Sequence, residues 1–273
     1  VLAGLMRRHP AIDPASIDEV VAGCGYPWGE QGYNVARAGS LLAGFPTSVP
    51  AHTVSRLCAS SLQAIRAGAH AIALGEAEIV VAGGVESVSR VGRDRHLAEP
   101  NPRFDPEAPG ETVADYYRTM IETAELVAQR YGVTRERMDE FAQRSQEKAV
   151  TAQKDGRFNG EIMPIDTGTT VIDRDEGPRP GSTLDALAAL NPVLEGGIVT
   201  AGNACPLNDG AAGVLLTSAE RAEALGLRPR ARVIGSIAVG VDPEVMGIGP
   251  IGAVQRLLAR HGLTVADIDV VEF

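Results

Sequence analysis

The chain has 273 residues, 44% of them apolar and 4% aromatic, with 31 glycines, 17 prolines and a net charge of −10. This composition fits a globular α/β protein, one large domain or two modest ones, packed through small residues and tight turns. It speaks against non-specific nucleic-acid binding, which needs surplus Lys and Arg, and against a disulfide framework or zinc ribbon, since the cysteines are only Cys24, Cys58 and Cys205 with no C-x-x-C pair. Unbridged cysteines point to a reducing, cytoplasmic compartment, and no apolar run reaches the roughly 18 residues of a membrane span or reads as a signal peptide.

Residues 1–8 read as a helix entered partway along, and residues 17–23 as a strand. A helix over 34–42 ends at Ala43-Gly44, and a strand follows over 49–54. Residues 58–74 read as a helix whose apolar face is Leu62, Ile65, Ala69 and Ile72, with Arg66, His70 and Glu76 pointing elsewhere. A buried strand over 79–82 runs into Gly83-Gly84. Strands alternating with helices predict parallel sheets covered by helices.

The pattern then changes. Residues 91–110, rich in Pro, Arg and acids, read as loop; helices are expected near 121–131 and 135–154, and another loop over 173–181. Core-like sequence resumes at 211–216. Residues 269–273 read as a strand left unfinished, so both ends are expected to be truncated. An internal repeat supports a duplicated architecture. Leu5, Arg8, His9, Ile12, Ala15, Ile17-Asp18 and Val20-Val21 match Leu257, Arg260, His261, Leu263, Ala266, Ile268-Asp269 and Val270-Val271, both reading helix, turn, strand.

Cys58 stands where an extended segment stops and a helix starts. A helix N-terminus presents unpaired N–H groups and partial positive charge, which favour an anion. A thiol there is biased toward the nucleophilic thiolate, and the small residues Ala59, Ser60 and Ser61 leave room for a carbonyl. The position suits acyl transfer through a thioester. The competing reading is a buried structural cysteine.

Four segments bear on that choice. Leu57-Cys58-Ala59-Ser60-Ser61-Leu62-Gln63-Ala64 resembles the acylated-cysteine motif of the thiolases, the acetyl-CoA acyltransferases. Gly83-Gly84-Val85-Glu86-Ser87-Val88-Ser89 resembles that family's Gly-Gly-Met-Glu-Ser-Met-Ser segment, with Val for both Met. The stretch from Thr200 to Ala212 resembles its Asn-Asp-Gly-Ala-Ala loop, and Met246-Gly247-Ile248-Gly249-Pro250 its Met-Gly-x-Gly-Pro turn. They occur in the family's order along the whole chain.

The resemblance implies a layered αβαβα fold of two duplicated halves, with a mostly helical inserted loop region and the second half largely missing. It divides the chain into a core of residues 1–87 and 206–228, an inserted CoA-covering region over 88–205, and the start of the C-terminal half over 229–273. It implies that Cys58 is the nucleophile in thiolysis of a 3-ketoacyl-CoA, forming an acyl-cysteine that CoA, a co-substrate, then takes as a shortened acyl-CoA. It also implies a homodimer or homotetramer, with no metal, nicotinamide, nucleic acid or membrane partner. By motif it places Met120 beside the pantetheine and acyl chain, Arg179 near the nucleotide, and Ala201 and Cys205 along the pantetheine tunnel, with Cys205 packing rather than reacting. Met120 alternatively reads as a core residue at a helix start, and Arg179 as a solvated charge.

The sequence also departs from the pattern. The family's Asn-Glu-Ala-Phe, His-Pro-x-Gly-x-Ser-Gly and Cys-x-Gly-x-Gly segments are not among these 273 residues, and none of His9, His52, His70, His96 and His261 sits in the catalytic His motif. These residues alone are therefore expected to be inactive. Thr119 stands where the family has a His beside Met120. His261 reads as a helix end, His52 as a packed strand residue, Cys24 as a buried strand-end thiol, and Glu86 as either a base or a buried anchor. Asn208, Asp209 and Gly210 read as a structural turn. The alternatives carried are a biosynthetic acetoacetyl-CoA thiolase, a decarboxylating ketoacyl synthase and a non-catalytic acyl-CoA-binding protein.

Overall fold

The computed structural model describes residues 1–92, 101–104 and 116–273; most of the loop expected over 91–110, and His96, lie outside these. The described residues form two compact units, one of 1–92 with 207–234, the other of 101–104, 116–206 and 235–273.

The first unit contains α1 (Leu2–Arg8), β1 (Glu19–Gly23), α2 (Val35–Leu42), β2 (Ala51–Val54), α3 (Ser60–Leu74), β3 (Ile79–Glu86), α4 (Val88–Val91) and β4 (Gly210–Thr217). The strands lie in the order β2-β1-β3-β4. β1 is parallel to both neighbours, with Val21 opposite His52 on one side and Ala82 on the other. β3 and β4 are antiparallel, with Glu86 opposite Gly210. The sheet is therefore mixed, not all parallel: the chain leaves at the end of β3 and re-enters beside it at the same end.

Alternation along the strands divides the core between the two faces of the sheet. Val20, Ile79 and Val81 face α1 and pack with Leu5, Ile12, Ile17, Phe45 and Val49. Val21, Val80 and Ala82 face the other way, against Ala64 of α3, with Ile65, Ala67 and Ile72 beside them. Each such valine contributes roughly 1.5–3 kcal/mol by leaving water.

The buried stripe of α3 is Ser60, Ala64 and Gly68, whereas Leu62, expected on the apolar face, is 66% exposed. A Cβ at Gly68 would stand 2.8 Å from Val80 Cγ1 and 3.0 Å from Leu216 Cδ1. Small residues let this helix lie close on the sheet, and that closeness excludes the larger leucine side. β3 likewise continues four residues past the expected end at Ala82. Its glycines are close-packing positions: a Cβ at Gly83 would fall 2.1 Å from the Ala212 carbonyl oxygen.

The second unit holds α5 (Met120–Tyr131), α6 (Arg135–Lys154), a small hairpin of Ile165–Asp166 with Val171–Ile172, α7 (Leu184–Ala188) and α8 (Gly249–His261). α5 opens on a capping box in which the Glu122 carboxylate accepts from the Thr119 N–H at 2.7 Å and the Thr119 hydroxyl accepts from the Glu122 N–H. α8 ends at His261, with Gly262 at φ 65° as its cap.

The repeat is visible as α1 followed by a 3-10 turn at Pro14–Ser16, and α8 followed by one at Val265–Asp267. The strand expected over 269–273 is not formed, since it pairs with no other strand among the described residues. In the first copy β1 lies between β2 and β3.

Candidate active site

Three parallel strands, β2, β1 and β3, end side by side, and their C-terminal ends carry the residues of interest. β2 leads into Ser55-Arg56-Leu57-Cys58, β1 into Cys24-Gly25, and β3 ends on Glu86. In parallel α/β sheets this edge is where ligands bind.

Cys58 is exposed and free, two residues before the first residue of α3. Leu57 before it holds a left-handed backbone, φ 45°, a strained state for a branched side chain. The turn is tied by the Ser60 hydroxyl, which donates to the Leu57 carbonyl at 2.6 Å and accepts from the Arg56 N–H at 2.7 Å. Below it the sheet offers a glycine floor. A Cβ at Gly23 would stand 2.2 Å from the Ser60 carbonyl carbon, and one at Gly84 2.1 Å from Ser61 Oγ. Cys58 is thus neither buried nor inside the helix; it lies just ahead of the helix start, where the Ala59 and Ser60 N–H groups donate to the Arg56 and Leu57 carbonyls, both at 3.0 Å.

The neighbours of this edge are polar and paired. The Glu86 carboxylate accepts from the Gly25 N–H at 2.6 Å, the Tyr26 N–H at 3.3 Å and Gln31 Nε2 at 2.6 Å. Of the two readings of Glu86, this is the anchor. Cys24 is 1% exposed, and burial together with the adjacent Glu86 charge pushes its thiol up to about 11. It is the inert cysteine. His52 does not pack as expected: Nδ1 meets Glu19 Oε1 at 2.6 Å across the β1–β2 pair, partly exposed. Asp209 accepts from the hydroxyl and N–H of Ser89, and these bonds hold its carboxyl below the usual range. It stitches the entry of β4 to the start of α4, which is a structural role.

The residues implied for CoA lie in the second unit. Met120 is the first residue of α5 and 50% exposed, so it is not a core residue there. Arg179 is exposed, its N–H donating to Gln146 Oε1 of α6 at 2.8 Å. Ala201 and Cys205 are both exposed; Cys205 does not pack as expected.

The segment carrying Ala201 and Cys205 is held from two helices. Glu125 of α5 accepts from the N–H groups of Ile198 and Val199, both at 2.8 Å. Asp139 of α6, 3% exposed, pairs with Arg135 at 2.7 Å and accepts from Asn203 Nδ2 at 2.9 Å, while Asn203 Oδ1 accepts from the Thr200 N–H at 2.8 Å. The helices that bear Met120 and Gln146 thereby also hold Ala201 and Cys205. Sequence reasoning did not single out Glu125, Asp139 or Arg135. The available signal was Asn203, a buried-type amide inside the recognised loop, which needs partners.

The geometry leaves Cys58 an exposed, free thiol beside the C-terminal ends of parallel strands in an α/β fold. The comparisons give the family. Residues 1–220 match the thiolase N-terminal domain and residues 227–273 the thiolase C-terminal domain. The chain is 43% identical over 279 residues to a 3-ketoacyl-CoA thiolase of Saccharophagus degradans, covering 100% of this chain and 70% of that protein. It is 46% identical over 287 residues to a beta-ketoadipyl-CoA thiolase of Pseudomonas knackmussii, covering 98% and 71%. The solved acetyl-CoA acetyltransferase of Bacillus anthracis superposes with a TM-score of 0.86 at 36% identity, over 99% of this chain and 71% of that one. The chain belongs to the thiolase family. Among the described residues no cluster of His, Cys, Asp and Glu could hold a metal ion, and no helix is long and apolar enough to cross a membrane.

Proposed function

We propose that this protein catalyses thiolytic cleavage of a 3-ketoacyl-CoA, with Cys58 as the nucleophile and CoA as co-substrate. The observation that carries the reading is the exposed Cys58 at the mouth of α3, in a chain of thiolase sequence. The Cys58 thiolate attacks the keto carbonyl, and the bond between the α and β carbons of the substrate breaks. The acetyl-CoA carbanion takes a proton and leaves, and the remaining acyl group stays on Cys58 as a thioester. The thiolate of CoA then attacks that thioester, releasing a shortened acyl-CoA and restoring Cys58. The partial positive charge of a helix start suits the negative charge that develops during this attack.

Met120, Arg179, Ala201 and Cys205 are proposed to contact CoA. An exposed methionine and a small alanine suit the apolar pantetheine and acyl chain, and the guanidinium suits phosphate or the adenine face. Residues 1–87 with 206–228 are proposed as the catalytic core, 88–205 as the CoA-covering region and 229–273 as the start of the second half. A homodimer or homotetramer in the cytoplasm completes the proposal, with light scattering as the check on assembly.

A more specific second reading is favoured by the relatives named beta-ketoadipyl-CoA thiolase, one of them 46% identical. The test uses the full-length protein, acetoacetyl-CoA or beta-ketoadipyl-CoA, and CoA, following loss of the ketoacyl absorbance. Turnover that requires CoA and disappears in Cys58→Ser supports the proposal, and the ratio of kcat/KM between the substrates selects the reading. Full turnover in Cys58→Ser removes the nucleophile. Acyl-CoA binding without turnover would leave a binding protein, and decarboxylation of a malonyl thioester would indicate a ketoacyl synthase.

A further inference from the structure

We propose that Glu86 is a positioning residue for the Cys58 thiol. The inference rests on the reading of Cys58 as nucleophile. Glu86 terminates β3, and its carboxylate reaches across to the turn that follows β1. Oε2 accepts from the Gly25 N–H at 2.6 Å; Oε1 accepts from the Tyr26 N–H at 3.3 Å and Gln31 Nε2 at 2.6 Å, and faces Cys24 Sγ at 3.8 Å. Gln31, itself buried, donates the same amide to the Tyr26 carbonyl at 3.0 Å and accepts from the Ser87 N–H. One carboxylate therefore gathers the donors of a whole turn.

That turn lies next to the nucleophile's own loop, about a methyl group away. A Cβ built on Gly25 would lie 3.5 Å from both the carbonyl carbon and the oxygen of Leu57, the residue before Cys58. The Cys24 N–H also donates to the Val54 carbonyl at 3.0 Å, so the segments leaving β1 and β2 run together. Leu57 sits in the left-handed region, φ 45°, and such a state persists only where surrounding structure over-determines it. The Ser60 hydroxyl ties that turn on one side, and the Gly25 turn, held by Glu86, lies within a methyl's reach of Leu57 on the other. Through that neighbouring turn Glu86 positions the Leu57 peptide and with it Cys58.

The residue type matters. A Cβ at Gly25 would stand 2.8 Å from Glu86 Oε2, so glycine is needed for the carboxylate to reach that N–H. A glutamine at 86 could keep its oxygen toward Tyr26 and Gln31, but its NH2 would then oppose the Gly25 N–H. Small displacements of a reacting atom cost large factors in rate.

The test compares the full-length wild type with Glu86→Gln, Gly25→Ala and Cys58→Ser. Two readouts are taken well below the melting temperature: kcat and KM for CoA in thiolysis, and the iodoacetamide alkylation rate of each cysteine by mass spectrometry. Glu86→Gln should lower kcat about tenfold or more and slow Cys58 alkylation, with KM for CoA unchanged and Cys24 still protected. Gly25→Ala should reproduce the effect with the carboxylate present but pushed off the Gly25 N–H. A merely structural Glu86 would lower only the melting temperature. Wild-type kcat and Cys58 labelling in both variants, with Cys58→Ser inactive, overturns the inference and leaves the nucleophile standing. Full activity in Cys58→Ser overturns both. If Glu86→Gln exposes Cys24 through unfolding, Gly25→Ala decides alone.

Discussion

Gly23→Ala tests the link between fold and site. The new methyl would stand 2.2 Å from the Ser60 carbonyl carbon, 2.3 Å from the Ser61 nitrogen and 2.5 Å from the Ser60 oxygen. All three are backbone atoms of the α3 start, so no side-chain rotation relieves the overlap. Ordinary contact begins near 3.4 Å, and the helix start must retreat by roughly 1 Å. Overpacking of this kind costs about 1–3 kcal/mol, and rigid neighbours place it near the upper end. For a chain of this size that is a melting-point loss of roughly 4–5 °C. The same retreat moves Cys58, two residues upstream, so kcat should fall by on the order of tenfold or more. Gly44→Ala is the control: φ is 85° with nothing within 4 Å of the added methyl. It should cost about 1–2 kcal/mol through the left-handed backbone and leave kcat unchanged. Thermal melts and thiolysis kinetics on the full-length variants supply both readouts. A Gly23→Ala protein with wild-type stability and kcat would refute the close-packed glycine floor.

Asp139→Ala leaves Arg135 and Asn203 without their shared carboxylate in a nearly closed site, and should cost about 3–5 kcal/mol in denaturant unfolding. Cys24 should resist iodoacetamide at pH 8 while Cys58 and Cys205 react, read peptide by peptide, because it is buried and its thiol is pushed up to about 11. The same shift gives a pH dependence. Unfolded, the thiol ionises near 9.0; folded, it holds its proton to about 11. The folded state binds more protons in that window, so stability falls as pH rises from 9 to 11, by up to roughly 2–3 kcal/mol. Denaturation of wild type against Cys24→Ala across that window should show this additional loss in the wild type.

What the sequence revealed was what is local. The start of α3 just after Cys58, the span Arg135–Lys154 and the cap at Gly262 follow from helical spacing and termini chemistry. What depends on distant partners was not readable. Gly83-Gly84 suggested a strand end, because a glycine pair is a turn signal; only the approach of Ala212 and Ser61 explains why the strand continues through them. The antiparallel entry of β4 is set by where the chain returns after the excursion. Leu62 belonged to an apolar pattern, yet Ala64 and Gly68 are what fits against the sheet. His52 found Glu19 across two strands, 33 residues away. Residues 269–273 have strand composition, but a strand exists only when paired. For the site, Cys58 was legible because helix-mouth chemistry is local, whereas the Glu86 and Asp139 networks join residues from separate elements.

The central claim is that the sulfur at position 58 carries the acyl group. The most direct measurement is intact-peptide mass spectrometry of the full-length protein after acid quench during turnover of acetoacetyl-CoA. The expected result is an acetyl adduct on the peptide bearing Cys58, lost when CoA is added and absent from Cys58→Ser. An adduct on Cys205 or Cys24 instead, or CoA-dependent turnover by Cys58→Ser, would contradict it.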